Sequence, residues 1–163
     1  MPQLIKHGIP VTAEDYIILE DLSALPDATL PLLVTLEHLR QQPELLSRAG
    51  PLGVRLPADA DVSTLQPFLV RLDMIALVFS SFSDGRGFSQ ASLLRQKYNY
   101  SGELRALGDI IPDIVYFLHQ CGFDSYGLND DQSIEDAVSA LQSFTQPYQE
   151  SRRHPPLFRR VQR

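Results

Sequence analysis

Met74-Ile75-Ala76-Leu77-Val78-Phe79 is a six-residue run without a polar side chain, and the loop after it, Ser80-Ser81-Phe82-Ser83-Asp84-Gly85-Arg86-Gly87-Phe88-Ser89-Gln90, is polar and carries two glycines. A strand apolar on both faces is packed on both faces, as a central strand of a parallel sheet is. Parallel neighbours need a crossover between them, so helices are expected on either side of this run in sequence.

Downstream, a helix is expected from about 89 to 98 with Leu93 and Leu94 on its buried side, then a strand over 103 to 107 and a helix from about 109 to 120. Cys121-Gly122 ends that helix, because glycine enters the left-handed conformation of a helix stop without steric cost. A strand over 123 to 128 and a last helix over 133 to 144, striped by Ile134, Val138 and Leu141, complete the pattern.

Upstream, Leu32-Leu33-Val34-Thr35-Leu36 and Gly53-Val54-Arg55-Leu56 read as strands. Between them a helical stretch over 37 to 49 is interrupted at Pro43 and closed by Gly50-Pro51. Asp59 or Asp61 caps a helix running toward Leu72, in which Pro67 sits awkwardly far inside.

The reading is an α/β domain of about five successive strand-helix units with a mainly parallel sheet, either open and doubly wound or an incomplete barrel. It covers residues 29–146. An irregular N-terminal segment with a small hairpin precedes it over 1–28, and a basic, proline-containing tail follows over 147–163. Both architectures place ligands at the carboxyl ends of the strands, in the loops after Phe79, Leu107 and Leu128.

The chain of 163 residues is long enough for one core, and its 44% hydrophobic and 21% charged fractions are those of a globular protein. Its apolar runs are far short of the roughly 20 residues that cross a bilayer. Met1 to His7 lacks the pattern of a secretory leader, so a cytoplasmic location is expected. Cys121 is the single cysteine, which excludes an internal disulfide or a paired-cysteine metal site.

The net charge of −6 is unevenly distributed. Residues 1 to 151 hold nine Lys and Arg against twenty Asp and Glu, near −11, whereas Arg152, Arg153, Arg159, Arg160 and Arg163 make the end of the tail near +5. An acidic body repels phosphate backbones, so nucleic acid is not an expected partner. The tail is either solvated or a docking peptide for an acidic partner surface.

Candidate chemistry sits at three places. In the loop after Phe79, Gly85 and Gly87 free the backbone, Ser89 caps the next helix, and Arg86 with the first helix amides suits an anion; alternatively Asp84 and Arg86 pair with each other and the glycines only shape a turn. Arg55 and the Glu103/Arg105 pair are conspicuous in strands. Glu103 and Arg105 share one face, and on a concave interior they persist only when paired or bound to something polar. Asp109 stands at a helix start, as a cap or as a carboxylate poised for general-base work, the role also open to Asp84. His7, His38, His119 and His154 have no metal-ligand spacing, and neither a metal nor a cofactor is inferred.

The runs Phe82-Ser83-Asp84-Gly85-Arg86-Gly87-Phe88-Ser89-Gln90-Ala91, Leu93-Leu94-Arg95, Gly102-Glu103-Leu104-Arg105-Ala106-Leu107-Gly108-Asp109 and Cys121-Gly122-Phe123-Asp124 resemble a bacterial family of unknown function. Its members are commonly encoded beside assimilatory sulfite reductase genes and labelled as probable oxidoreductases of sulfite reduction. The resemblance spans about residues 50 to 128, and more loosely Tyr148-Gln149 and the arginine-rich tail. Ser80 replaces the family's usual proline, and Asp113-Ile114 its usual Asp-Gln pair.

The family's recurring positions coincide with Asp84, Arg86, Ser89, Arg105 and Asp109. The resemblance implies an accessory protein of assimilatory sulfate or sulfite reduction, binding a small oxyanion or a sulfite reductase component, with Arg86, Arg105, Ser89, Gly85 and Gly87 as ligand contacts. Two other readings stay open. One is a small barrel-like enzyme acting on a phosphorylated or carboxylated metabolite, and the other a non-catalytic interaction module working through its tail. Exposed sheet edges make a homodimer the expected assembly.

Overall fold

The computed structural model describes residues 3–11 and 15–143. The tail expected over 147–163 lies outside the described residues.

The N-terminal segment is more regular than its sequence suggests. It contributes β1 (Gln3–Lys6), β2 (Ile9–Val11) and β3 (Ile17–Ile18) to the sheet. β1 and β2 form the expected hairpin, with Lys6 opposite Ile9 and the two turn residues His7 and Gly8 both at positive φ, the geometry whose twist matches that of the strands it joins.

The body follows as β4 (Leu32–Thr35), α1 (Leu36–Gln41), β5 (Leu52–Pro57), β6 (Met74–Phe79), α2 (Arg86–Gln96), β7 (Glu103–Gly108), α3 (Pro112–Cys121), β8 (Ser125–Leu128) and α4 (Ile134–Ser143). Pro43 restarts the chain after α1 as a 3₁₀ turn over Pro43–Ser47. The segment capped by Asp61 is also 3₁₀, over Val62–Phe68, with Pro67 inside it. α3 stops at Gly122, whose φ of 110° lets its N–H reach the carbonyls of Leu118 and His119.

The sheet order is β2-β1-β8-β7-β6-β5-β4-β3, parallel from β3 to β8 and antiparallel where β1 joins β8 and β2. It is an eight-stranded mixed half-barrel, mostly parallel. Neighbouring strands that follow chain order, joined by crossovers of one hand, carry their helices on one face. That face holds the main core: Leu52, Val54, Leu56, Ile75, Leu77, Phe79, Leu104 and Ala106 pack against Leu39, Ala91, Leu94, Val115, Leu118 and Ala137. Leu94 is buried, but Leu93, expected on the same side, is exposed.

Residues of the opposite parity face the concave side, where Leu33, Met74 and Ala76 form a second small cluster with Tyr16 and Leu107. Tyr16 lies in the connection that carries the chain from β2 to β3, from one edge of the sheet to the other. Gly53 makes room for it: a Cβ there would meet the Tyr16 ring, Met74 and Leu33.

Candidate functional site

Strand pairing sets the concave face out in transverse rows. Lys6, Ser125, Arg105, Ala76, Arg55 and Thr35 occupy one row from β1 to β4, and Glu103, Met74, Gly53 and Leu33 the row nearer the amino ends of the parallel strands. Toward the carboxyl ends the same face presents Leu107, Val78 and Pro57.

The Glu103/Arg105 pair shares this face, as its spacing requires, and is the centre of an ion network. Arg105 is 4% exposed. Its Nε and Nη2 donate to Glu103 Oε1 at 3.1 and 2.7 Å, and Nε also to Ser125 Oγ at 3.1 Å. Nη2 donates to Asp15 Oδ2 at 3.0 Å, and Nη1 lies 2.8 Å from Oδ1 as an ion-pair contact, Oδ1 itself being buried without a hydrogen bond among the described residues.

Lys6 Nζ bridges Asp15 Oδ2 at 3.0 Å and Glu103 Oε2 at 2.7 Å, and Ser125 Oγ donates to Glu103 Oε1 at 2.5 Å. The Tyr16 ring stacks on Arg105, 5.6 Å from centroid to guanidinium carbon.

Burial on its own would raise the carboxyl pKa values of Glu103 and Asp15. Hydrogen bonds from Lys6 and Ser125, with the charge of Arg105, outweigh it at Glu103, and those from Arg105 and Lys6 do so at Asp15, so both stay below the ordinary carboxylate range. The same contacts raise Lys6 against its own desolvation. Burial, with the nearby carboxylates, pushes Tyr16 up to about 12.

Arg55 differs from every other half-buried or buried arginine among the described residues. Arg48 and Arg71 are held by backbone carbonyls, Arg71 also by Asp73, Arg95 by Asp124 and three carbonyls, and Arg105 by the network above. Arg55 is half-buried on the concave face, and no carboxylate or carbonyl among the described residues engages its guanidinium.

At the carboxyl edge, Asp84 and Arg86 are brought together, and the pairing arrangement is the one found. Arg86 donates to Asp84 through its backbone N–H, Nε and Nη2, with Asp59 at 3.5 Å from Nη1, while remaining 64% exposed. The Arg86 hydrogen bonds hold the Asp84 carboxyl below its usual range. Gly85 is the N-cap residue of α2 and stands in open space; Gly87 is buried against the Phe79 ring and Ala58, where a Cβ would clash.

Two capping expectations are corrected. Ser89 does not cap α2: the helix starts at Arg86, and Ser89 sits inside it, exposed. Asp109 does not cap α3, which starts at Pro112 after Ile111. Gly108 at φ 93° instead turns the chain so that Asp109 N–H donates to the Phe79 carbonyl at 2.9 Å, and the Asp109 carboxylate accepts from Phe82 N–H at 3.1 Å, tying down the loop after β6. Arg105 is on the concave face and Ser89 on a helix of the other face, so they do not form one site.

Lys6, Asp15, Tyr16 and Ser125 belong to the network but escaped the sequence reading. A cleft of about 380 Å³ on the helix side, lined among others by His7, His119, Asp124 and Tyr126, also brings together two histidines far apart in sequence. Among the described residues no group of three or more His, Cys, Asp or Glu is arranged to hold a metal, and no helix is long and apolar enough to cross a membrane.

Fold and site together define an open α/β half-barrel with a polar, arginine-bearing concave face. A family model described as bacterial protein of unknown function (DUF934) matches residues 53–158, and the chain belongs to that family. Comparison with curated proteins finds no match.

Proposed function

We propose that this protein binds a small oxyanion on the carboxyl half of its concave face, with Arg55 as the principal contact, and that it serves as an accessory protein of sulfate or sulfite reduction. The observation that carries the reading is the state of Arg55. A half-buried guanidinium has lost part of its hydration, and proteins ordinarily return that loss through a carboxylate or a carbonyl. Arg55 receives neither among the described residues, while its cross-strand neighbour Ala76 is small and Val78 and Leu107 make the adjoining surface apolar. An oxyanion there accepts a forked pair of hydrogen bonds in surroundings that screen the charges less than water does.

Of the three arginines singled out by sequence, Arg55, Arg86 and Arg105, the last two have forks that face carboxylates of the chain itself. Arg55 therefore leads among the three as the resting contact. The setting in sulfite reduction rests on the family resemblance, with sulfite and sulfate as the first ligands and sulfite reductase components as the first protein partners to test.

The test is isothermal titration of the full chain with sulfite, sulfate and phosphate, beside Arg55→Gln, Arg86→Gln and Arg105→Gln. Arg55→Gln is expected to weaken binding by about tenfold or more, the worth of a charged hydrogen bond. Wild-type binding that persists unchanged in Arg55→Gln removes the reading.

A further inference from the structure

We propose that Arg105 and Lys6 form a second anion site on the concave face, occupied by the chain's own Asp15 carboxylate, and that displacing Asp15 joins this site to Arg55 as a two-arginine clamp for a small dianion. The part played by Arg55 rests on the reading above; the Arg105/Lys6 site does not.

Three observations carry it. Asp15 is held by two cations through one oxygen: Arg105 Nη2 and Lys6 Nζ each donate to Oδ2 at 3.0 Å, while Nη1 lies 2.8 Å from Oδ1 as an ion-pair contact that leaves Oδ1 buried without a hydrogen bond among the described residues. This ligand arrives on a connection and not on a strand, because Asp15 precedes β3 and stands outside the paired registers. Asp15 and Arg105 are 90 residues apart in the chain.

The site lies in register with Arg55, since Arg55 pairs with Ala76 and Ala76 with Arg105. Two strand spacings separate the arginine backbones by roughly 10 Å. Ala76 between them is buried in the cluster that Tyr16 packs against, and the Tyr16 ring also stacks on Arg105, so the two forks close on a tetrahedral anion or a dicarboxylate once Tyr16 moves aside with its neighbour Asp15.

Charge decides when the clamp forms. With Asp15 in place, Lys6 and Arg105 are balanced by Asp15 and Glu103. Without the Asp15 carboxylate the cluster carries one net positive charge, and Arg55 adds another. A dianion then fits the doubly positive face, whereas the resting face offers Arg55 alone.

The experiment uses the full chain, with Asp15→Ala, Asp15→Asn and the double variant D15A/R105Q. Acetate is the probe for the vacated carboxylate site and inorganic phosphate the probe for the clamp. Acetate is expected to raise the melting temperature of Asp15→Ala at concentrations that leave the wild type unmoved, with the effect gone in the double variant. Phosphate is expected to bind Asp15→Ala and Asp15→Asn about tenfold more tightly than the wild type, through one added charged contact.

If Asp15→Ala does not fold unaided, recovery of its folded circular dichroism by acetate is the expected result. The proposal is overturned if acetate neither shifts nor restores Asp15→Ala, or if the folded variants bind phosphate no better than the wild type. Phosphate binding that ignores Arg55→Gln while acetate still rescues Asp15→Ala through Arg105 removes the resting Arg55 site and the clamp but leaves the Asp15-occupied site standing.

Discussion

Arg55 and Arg105 occupy one transverse row of the sheet with Ala76 between them, yet Arg105 is enclosed by two carboxylates and a hydroxyl while Arg55 meets none among the described residues. The pair separates two roles for the same side chain on the same face. One arginine fastens the N-terminal connection to the sheet, and the other is the contact we propose for a ligand.

The fastening role has a stability consequence. Arg105→Met removes one side of a buried network and leaves Glu103 and Asp15 with Lys6 as their only cation among the described residues, and losing one partner of such a network costs about 3–5 kcal/mol. Urea unfolding is expected to show a clear fall in midpoint. Arg86→Ala, whose partner Asp84 lies on an exposed loop, is expected to leave the midpoint unchanged.

Acid should act through the same groups. Glu103 and Asp15 have folded pKa values below their unfolded ones, so the stability they contribute is present above the ordinary carboxylate range, near pH 4, and is lost as pH falls through their folded values. Lys6 has the opposite sign. Its raised pKa contributes below its unfolded value and is lost only as the medium becomes strongly alkaline. Urea midpoints taken from pH 7 to pH 3 should fall more steeply for the wild type than for Asp15→Asn; parallel curves would mean that Asp15 is not held by these contacts.

Gly108 is the position on which the carboxyl edge turns. Its φ of 93° is costly for any residue with a side chain, by about 1–2 kcal/mol, and a Cβ there would run into the Phe79 carbonyl. Gly108→Ala is expected to lose at least that much stability and to release Phe82 N–H from Asp109, read as faster amide exchange at Phe82 while amides of α4 keep their protection. Unchanged exchange at Phe82 would show that Asp109 does not tie down the loop.

Much of the sheet was readable because its signals are local. β6 is apolar at every position, α3 ends on a glycine, and the two-residue spacing of Glu103 and Arg105 placed both on one face of their strand. The helix starts were misread for a physical reason. Gly85-Arg86-Gly87 reads as loop because glycines disfavour helix, but the Asp84 carboxylate accepts the Arg86 N–H and burial of Gly87 against Phe79 draws the first turn into the structure. Asp109 after Gly108 reads as a cap, yet the left-handed Gly108 directs it back to Phe82, and Pro112 opens the helix.

The rest of the network was not legible because it depends on distant pairings. Nothing near Asp15 in sequence announces Arg105, and Lys6 reaches Glu103 only because β1 adds antiparallel to β8. Asp15 and Lys6 also lie ahead of residues 53–158, where the family match falls, while Arg55 and Arg105 lie within it. The face is thus assembled from the matched region and from the segment before it.

The most direct test of the account is the affinity of the full chain for sulfite measured beside Arg55→Gln at fixed ionic strength. The account predicts saturable binding by the wild type and a loss of about tenfold or more in the variant, with its unfolding midpoint unchanged. Saturable binding of equal strength in the wild type and Arg55→Gln would contradict it, as would the absence of any binding to the wild type.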